Sequence, residues 1–463
     1  MASIERLMQV LDKANTGPVT NLNDWGLEVG KNIQEKLAKY KIANTCDLKN
    51  PINIHDDLAD AFFKAGYELA VDMGLFCQDT ERVIRLSESD FAYAIKNAKD
   101  NLILGKGRDR VVLKHRQPED PHEPINAAPM GHLVTEELYV KLTQGIARHR
   151  EVDLLRSPTP GTMHGRPVLA GTPMETAAGM YQMQLSREAR WKAGRPGMPD
   201  LCVASSTTEY GNLGAFGAPG GADPDLDVAL ILAPGELTTS FEVLHKVIHA
   251  INCGAKLTNG FSSMIGGFPG PPEGAAMARI ATILQQTAYH QTDFFCGSIF
   301  DVRYLGNCGP HGQWAESIST QAISRNTHIN GTEVQNQLAG PCTKMLMYES
   351  AVCMINLAAS GAAGYLGPRT AGTKYANHIT PLDCKWCGEV LKAAAGMTRK
   401  KANEIVNQLI PRYEDKLKNP DIGKAFEDCY DLDTLTPTQE LQDLYLGVKQ
   451  ELIDMGLPLD MLV

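Results

Sequence analysis

Nowhere in the 463-residue chain is there an apolar run approaching the ~20 residues that a membrane-spanning helix requires. The apolar stretch from Val228 to Pro234, for example, breaks off after a few positions. The chain also lacks an excess of basic residues. Its 44 Lys and Arg against 54 Asp and Glu give a formal charge of −10, which repels phosphate backbones and anionic lipid surfaces. A nucleic-acid or membrane-surface role is thereby disfavoured. A secretory pattern is missing at the N-terminus, where Ile4, Leu7, Met8 and Leu11 form an amphipathic stripe interrupted by Glu5, Arg6 and Asp12. The eleven cysteines are odd in number and scattered from Cys46 to Cys429, which reads as reduced thiols in a cytoplasmic protein rather than a disulfide scaffold. Low-complexity tracts and fixed-period repeats are absent as well. With 43% hydrophobic and 21% charged residues, the chain is too apolar for disorder.

What remains is an enzyme-sized body with an alternating text. The first 150 residues read mainly helical, with segments at Asp56 to Met73 and Glu88 to Leu102 separated by β-prone Arg82 to Ile84. From about Pro158 to Gly367, short apolar runs alternate with longer helical segments. Strands are expected at Leu201–Ser205, Asp227–Leu232, Ala255–Ser263, Asp293–Ile299 and Val334–Ala339. Helices are expected at Met174–Ala193, Ser240–Cys253, Pro272–His290, Gly312–Asn326 and Lys344–Ala359. Five such units argue for a parallel α/β arrangement, and a (β/α)8 TIM barrel with further units fits better than an open sheet. The expected division is a helical N-terminal region (1–150) packed on a barrel core (151–382), then a helical C-terminal region (383–463).

No P-loop, dinucleotide fingerprint or nucleophile elbow is present; the Gly-rich stretches read as tight connections. Polar residues at expected strand ends are more informative: Asp200, Ser205 and Ser206; Asn259, Ser262 and Ser263; and Glu333, Gln335, Asn336 and Gln337. They would converge at a barrel mouth, or serve as polar barrel interior. Cys384 and Cys387 have the spacing of a zinc half-site, with His378 nearby, of a redox dithiol, or of buried structural thiols. His245, His249 and Cys253 form an i, i+4 stripe. Lys246 stands where a zinc protease would carry its Glu, so the stripe reads as surface-to-core packing and no metal site is assigned.

Several longer stretches carry a family signal: Leu69 to Arg85, the LGKGRD run from Leu104, AGRPGM at 193–198, AGPCTKM at 339–345 and FEDCYDLDTLTP at 426–437. Through them the chain resembles the monomethylamine:corrinoid methyltransferases of methanogenic archaea, a family known for a pyrrolysine in its active site. The resemblance implies a TIM barrel, a homo-oligomer (a hexamer in the family) and methyl transfer in methanogenesis. The acceptor would be the cobalamin of a separate corrinoid protein, with no cofactor held tightly by this chain. It also exposes a departure. The family's pyrrolysine position corresponds to Leu201, flanked by Asp200 and Cys202. One family acid aligns near Asp227, another near Gly260, and the family's pocket Gln is matched by Gln335.

Loss of the electrophilic imine bears on the chemistry. Attack on a methyl carbon needs a good leaving group, and a primary amine is poor without activation, whereas a quaternary ammonium already departs as a neutral amine. The resulting expectation is a pyrrolysine-independent methyltransferase for a quaternary or otherwise activated N-methyl compound. Gln335 and Asn336 would orient the substrate, Asp227 or Asp200 would balance its charge, and Leu201 with Cys202 would shape the pocket. Two alternatives stand beside it: a zinc-assisted O- or S-methyl transferase using Cys384 and Cys387, and an idle barrel that binds a corrinoid protein.

Overall fold

A computed structural model describes residues 3–202 and 208–461. Eight short parallel strands form a closed ring. Numbering only these strands, they are β1 (Ile125–Ala128), β2 (Leu154–Leu155), β3 (Leu201–Cys202), β4 (Val228–Leu232), β5 (Lys256–Ile265), β6 (Phe294–Asp301), β7 (Thr332–Val334) and β8 (Gly364–Leu366). Ladders join β1 to β2, β3 through β6 in sequence, β7 to β8, and β8 back to β1. Single parallel bridges, Leu155 to Asp200 and Phe295 to Gly331, complete the circuit.

Each strand is followed by a helix: α1 (Glu136–Arg148), α2 (Pro173–Lys192), α3 (Glu209–Ala215), α4 (Phe241–Asn252), α5 (Pro272–Gln285), α6 (Pro310–Asn326), α7 (Lys344–Ser360) and α8 (Pro381–Ala393). Their starts are written locally. Proline occupies the first turn of α2, α5, α6 and α8, where its missing N–H costs no helical bond, and Thr380 and Asp383 form a reciprocal capping box on α8. The α/β barrel is thus the observed fold.

The barrel starts earlier than the sequence suggests. β1 lies within the region expected to be N-terminal and helical, because Ile125–Ala128 is buried at all four positions and shows no alternation to read. At the other end, α8 closes the last unit inside the expected C-terminal region. The additions at both termini sit on the outer helices. The helix Asp56–Met73 packs on α5 and α6, with Phe62 edge-on to Trp314 at 5.8 Å, and the helices Arg399–Leu409 and Gln439–Asp454 cover α7. Consequently α5 and α7 are buried along nearly their whole circumference, and α7 has no polar face.

The expected helix at Glu88–Leu102 stops at Lys96, and an antiparallel hairpin, Asn101–Leu104 with Val111–Lys114, takes over. Alternation in NLIL sends Leu102 and Leu104 inward. With Leu113 they join one apolar cluster containing Ile125, Leu154, Leu201, Val228 and Phe294, the lowest inward residues of the barrel. The hairpin therefore plugs the end of the barrel where the strands begin. Among the described residues no helix is long and apolar enough to cross a membrane.

Candidate active site

Successive strand residues face opposite sides, so one set of alternate residues fills the barrel. Above the plug that set opens into a cavity of about 470 Å³ at the end where the strands finish, lined by Leu230 and Leu232 of β4, Gly260, Ser262 and Met264 of β5, Cys296, Ser298 and Phe300 of β6, Val334 and Leu366. This is where barrels of this kind carry their chemistry. The cavity lies within the ordinary range for small-molecule sites, roughly 300–1,000 Å³. Its nucleophiles are quiet: Ser262 and Ser298 hydrogen-bond each other at 2.9 Å, and burial pushes the Cys296 thiol up to about 12.

Three ionisable carboxylate and guanidinium side chains line it: Arg156, Arg369 and Glu236. Arg156 follows β2 and is 5% exposed. Its Nη1 donates to the Ser157 carbonyl at 3.1 Å, while its buried Nε has no partner. Arg369 follows β8; its guanidinium lies 5.1 Å from the Phe300 ring centroid and donates only to neutral oxygens, Thr373 Oγ1, Asn336 Oδ1 and the Gly372 carbonyl. Glu236 follows β4 and accepts the Met264 N–H at 2.7 Å; burial raises its carboxyl above the usual range. Close to both arginines, His132 is fully buried and pushed down to about 3, so it is neutral.

The residues expected from the sequence divide differently. Leu201 faces into the barrel in the apolar layer beneath the cavity, among Leu154, Val228 and Cys296. Asp200 and Asp227 do not line the cavity; they are held between the strand wall and α2. The Asp227 carboxylate pairs with Arg190 at 2.8 Å and accepts the Asp200 and Asp223 N–H groups. That of Asp200 accepts from the Ser157 N–H and hydroxyl and from the Ser186 hydroxyl. Cys202 points outward, its thiol donating to the Val228 carbonyl. β7 ends at Val334, earlier than expected, so Gln335 begins a loop and accepts from Gln313 Nε2 at 3.1 Å behind the wall. Asn336 and Gln337 reach the mouth's polar network, accepting from Arg369 Nη1 at 3.4 Å and from the Arg369 N–H at 3.1 Å, and Ser262 lines the cavity. Ser205 and Ser206 lie outside the described residues.

Arg156, Arg369 and Glu236 are not among the residues expected from the sequence. A signal existed for Glu236, a lone acid just after the apolar run VALIL. Arg156 follows a strand of only two residues, which leaves no pattern to detect.

The zinc reading does not fit. Cys384 and Cys387 are both buried in α8, and burial drives both thiols up, Cys387 to about 12. Among the described residues no three His, Cys, Asp or Glu side chains are grouped to hold a metal. The Cys384 segment instead secures the wall, its carbonyl accepting from Asn126 of β1 at 3.0 Å. His249 and Cys253 pack α4 against the chain near Phe216, and His245 faces Glu209 of α3.

Comparison with known proteins now bears on this geometry. The family model for monomethylamine methyltransferase MtmB matches residues 6–457. A monomethylamine methyltransferase of Methanosarcina barkeri is 28% identical over 448 residues, 96% of this chain and 97% of the relative; that of Methanosarcina mazei is 27% identical over 449 residues. The crystal structure of the Methanosarcina barkeri monomethylamine methyltransferase superposes with a TM-score of 0.93 at 26% identity, covering 97% of this chain and 98% of that one, and a hydroxylamine complex of MtmB aligns equally well. A ring of eight βα units with its cavity at the strand ends, matched from end to end, places the chain in the monomethylamine methyltransferase MtmB family and makes it a methyltransferase.

Proposed function

We propose that the protein takes a methyl group from an N-methyl compound, quaternary or otherwise activated, and passes it to the cobalt of a separate corrinoid protein without using pyrrolysine. The observation that carries this reading is the mouth cavity itself. Among the described residues it offers a substrate apolar walls, one carboxylate and two arginines, but no activated nucleophile to receive the methyl group, which favours an acceptor from outside the chain. Cob(I)alamin on a partner protein supplies that nucleophile.

In the transfer, the C–N bond breaks with its electron pair going to nitrogen while the methyl carbon is captured in line. A quaternary donor leaves as a neutral amine and needs no proton. This chain's share is to bind, orient and dehydrate the donor. Glu236 faces the cationic nitrogen, the aliphatic side chains of Leu230, Val334 and Leu366 exclude water, and Leu201 supports the floor. Asn336 holds Arg369 in place. Asp200, Asp227, Gln335 and Cys202 keep the strand wall in register from behind. A donor of two heavy atoms displaces about two waters, roughly 60 Å³ at ~30 Å³ each, so the cavity has room for a larger one.

The test is to combine the protein with reduced corrinoid protein and single methylated amines, following the visible spectrum of the corrinoid. Methylation by a quaternary ammonium supports the reading. Methylation by monomethylamine and by no quaternary or otherwise activated compound overturns it, and binding of the corrinoid protein with turnover of no donor favours an idle barrel.

A further inference from the structure

The cavity's charges are not scattered. In the ring of eight strands β1 stands opposite β5. Arg369 follows β8 and Arg156 follows β2, the two neighbours of β1, so both arginines belong to the β1 side. Glu236 follows β4 and is bonded to Met264 of β5, so the acid belongs to the opposite side. Resting on the methyl-donor reading above, we propose that the donor is zwitterionic: a methylated amino acid whose carboxylate is bound by Arg156 and Arg369 and whose methylated nitrogen lies toward Glu236.

Hydrogen-bonding capacity makes the case more sharply than charge. A guanidinium has five N–H donors in a planar fork suited to two carboxylate oxygens. Arg156 uses one, on a backbone carbonyl, and a nearly buried side chain with unmet donors is costly unless a ligand completes it. Asp200 offsets part of this charge from behind the wall, yet accepts no hydrogen bond from Arg156, because Ser157 and Ser186 occupy it. Arg369 has no carboxylate partner among the described residues; its guanidinium lies over the Phe300 ring at 5.1 Å from the centroid. The backbone at Gly131, with φ +46°, comes so close to Arg156 that an added Cβ would sit 3.3 Å from Nη2, so the guanidinium is confined from that side. Residues 203–207, Val-Ala-Ser-Ser-Thr, contain no ionisable side chain that would supply a counter-ion. A simple cationic amine satisfies Glu236 but leaves the spare donors of Arg156 and the uncompensated charge of Arg369 unanswered. A zwitterion answers all three.

Titration calorimetry on the full-length protein, without corrinoid protein, tests this with trimethylglycine, N-methylglycine and trimethyl-β-alanine against tetramethylammonium and methylamine. At least one carboxylate-bearing compound should bind ten-fold or more tightly than tetramethylammonium. Arg369→Gln should abolish that preference by weakening the acids ten-fold or more while tetramethylammonium binds no more weakly than before, and Arg369→Lys should restore part of the preference. Because Arg156→Gln is a buried change, its fold is checked by circular dichroism first, and Arg369 at the rim keeps the test independent of it. Equal affinity for charged-pair and carboxylate-free compounds overturns the proposal, as does binding of none of the three acids. If Arg369→Gln weakens only the docking of the corrinoid protein, the arginines serve the corrinoid's phosphodiester and the proposal falls. Transfer from tetramethylammonium as readily as from the acids sinks the zwitterion and leaves the methyltransferase reading standing; binding of an acid with no transfer from any donor does the reverse.

Discussion

On the proposed reading, Glu236 is the residue that meets the cationic nitrogen of the donor. Its carboxylate lies beside the cavity in an environment that already disfavours charge, and one oxygen is fixed by the Met264 N–H. Glu236→Gln keeps an acceptor for that N–H and removes the charge, so the affinity for a quaternary ammonium should drop about ten-fold or more, some 1.4 kcal/mol, with thermal stability nearly unchanged. In the wild type the acid limb of binding should lie above the usual carboxylate range, since the group must lose its proton to hold a cation and burial resists that loss; a limb at the ordinary Glu value would assign the role elsewhere. The neighbouring Gly260 shows why an acid is not found there. A Cβ at this position would sit 2.7 Å from Leu232 Cδ2 and 2.9 Å from Cys296 Sγ, so the glycine opens space that a larger residue would close. Sequence could identify Gly260 as a departure from the family. It could not show that the cavity's carboxylate enters from the β4 loop, because that is a relation between two strands.

Among the elements, the long outer helices were legible and the barrel strands only half so. Four of the five helices expected between Met174 and Ala359 begin and end within about two residues of the observed bounds, because Pro, Ser and Thr caps mark their starts. The fifth, α5, runs on through a π-helical turn at Gln286–His290. β1, β2 and β8 have two to four residues each and are buried throughout, so neither length nor alternation announces them. The same difficulty misplaced Gln335: three residues of β7 sufficed to close the ring, and the remainder of the apparent strand is loop. Helix α7 carries a further consequence of being wrapped on every side. Glu349, fully buried on it, accepts the Leu338 and Ala339 N–H groups, and desolvation raises its carboxyl to about 8. Between the ordinary Glu value and about 8 the folded protein keeps a proton that the unfolded chain has released, so stability falls as pH rises through that window. Within it, a rise of one pH unit costs the folded state at most about 1.4 kcal/mol for this one proton. Glu349→Gln should flatten the fall in denaturation midpoint between pH 5 and 8. Part of the slope should persist through Asp383, raised in the same sense to about 7; an unchanged slope would exclude Glu349 as its source.

For the whole molecule, the proposed reading makes the mouth the face that the corrinoid protein meets. Leu232 and Leu305 line the cavity yet are 52% and 48% exposed, apolar surface at the rim of an otherwise acidic protein. Leu305→Gln should raise the corrinoid protein's KM several-fold and change calorimetric binding of the small donor far less; equal loss of both would mean a damaged cavity. The hairpin at the opposite end adds a constraint in time. With Leu102, Leu104 and Leu113 sealing the strand starts, the described residues leave the cavity open at the strand-end mouth, where the proposed acceptor protein would stand. On the proposed reading the donor should then enter first, the demethylated amine should stay captive until the partner departs, and the two substrates should follow a compulsory order. Excess corrinoid protein should then inhibit by occupying the doorway of an empty barrel, an inhibition that rising donor concentration relieves; random-order kinetics would mean a second way in.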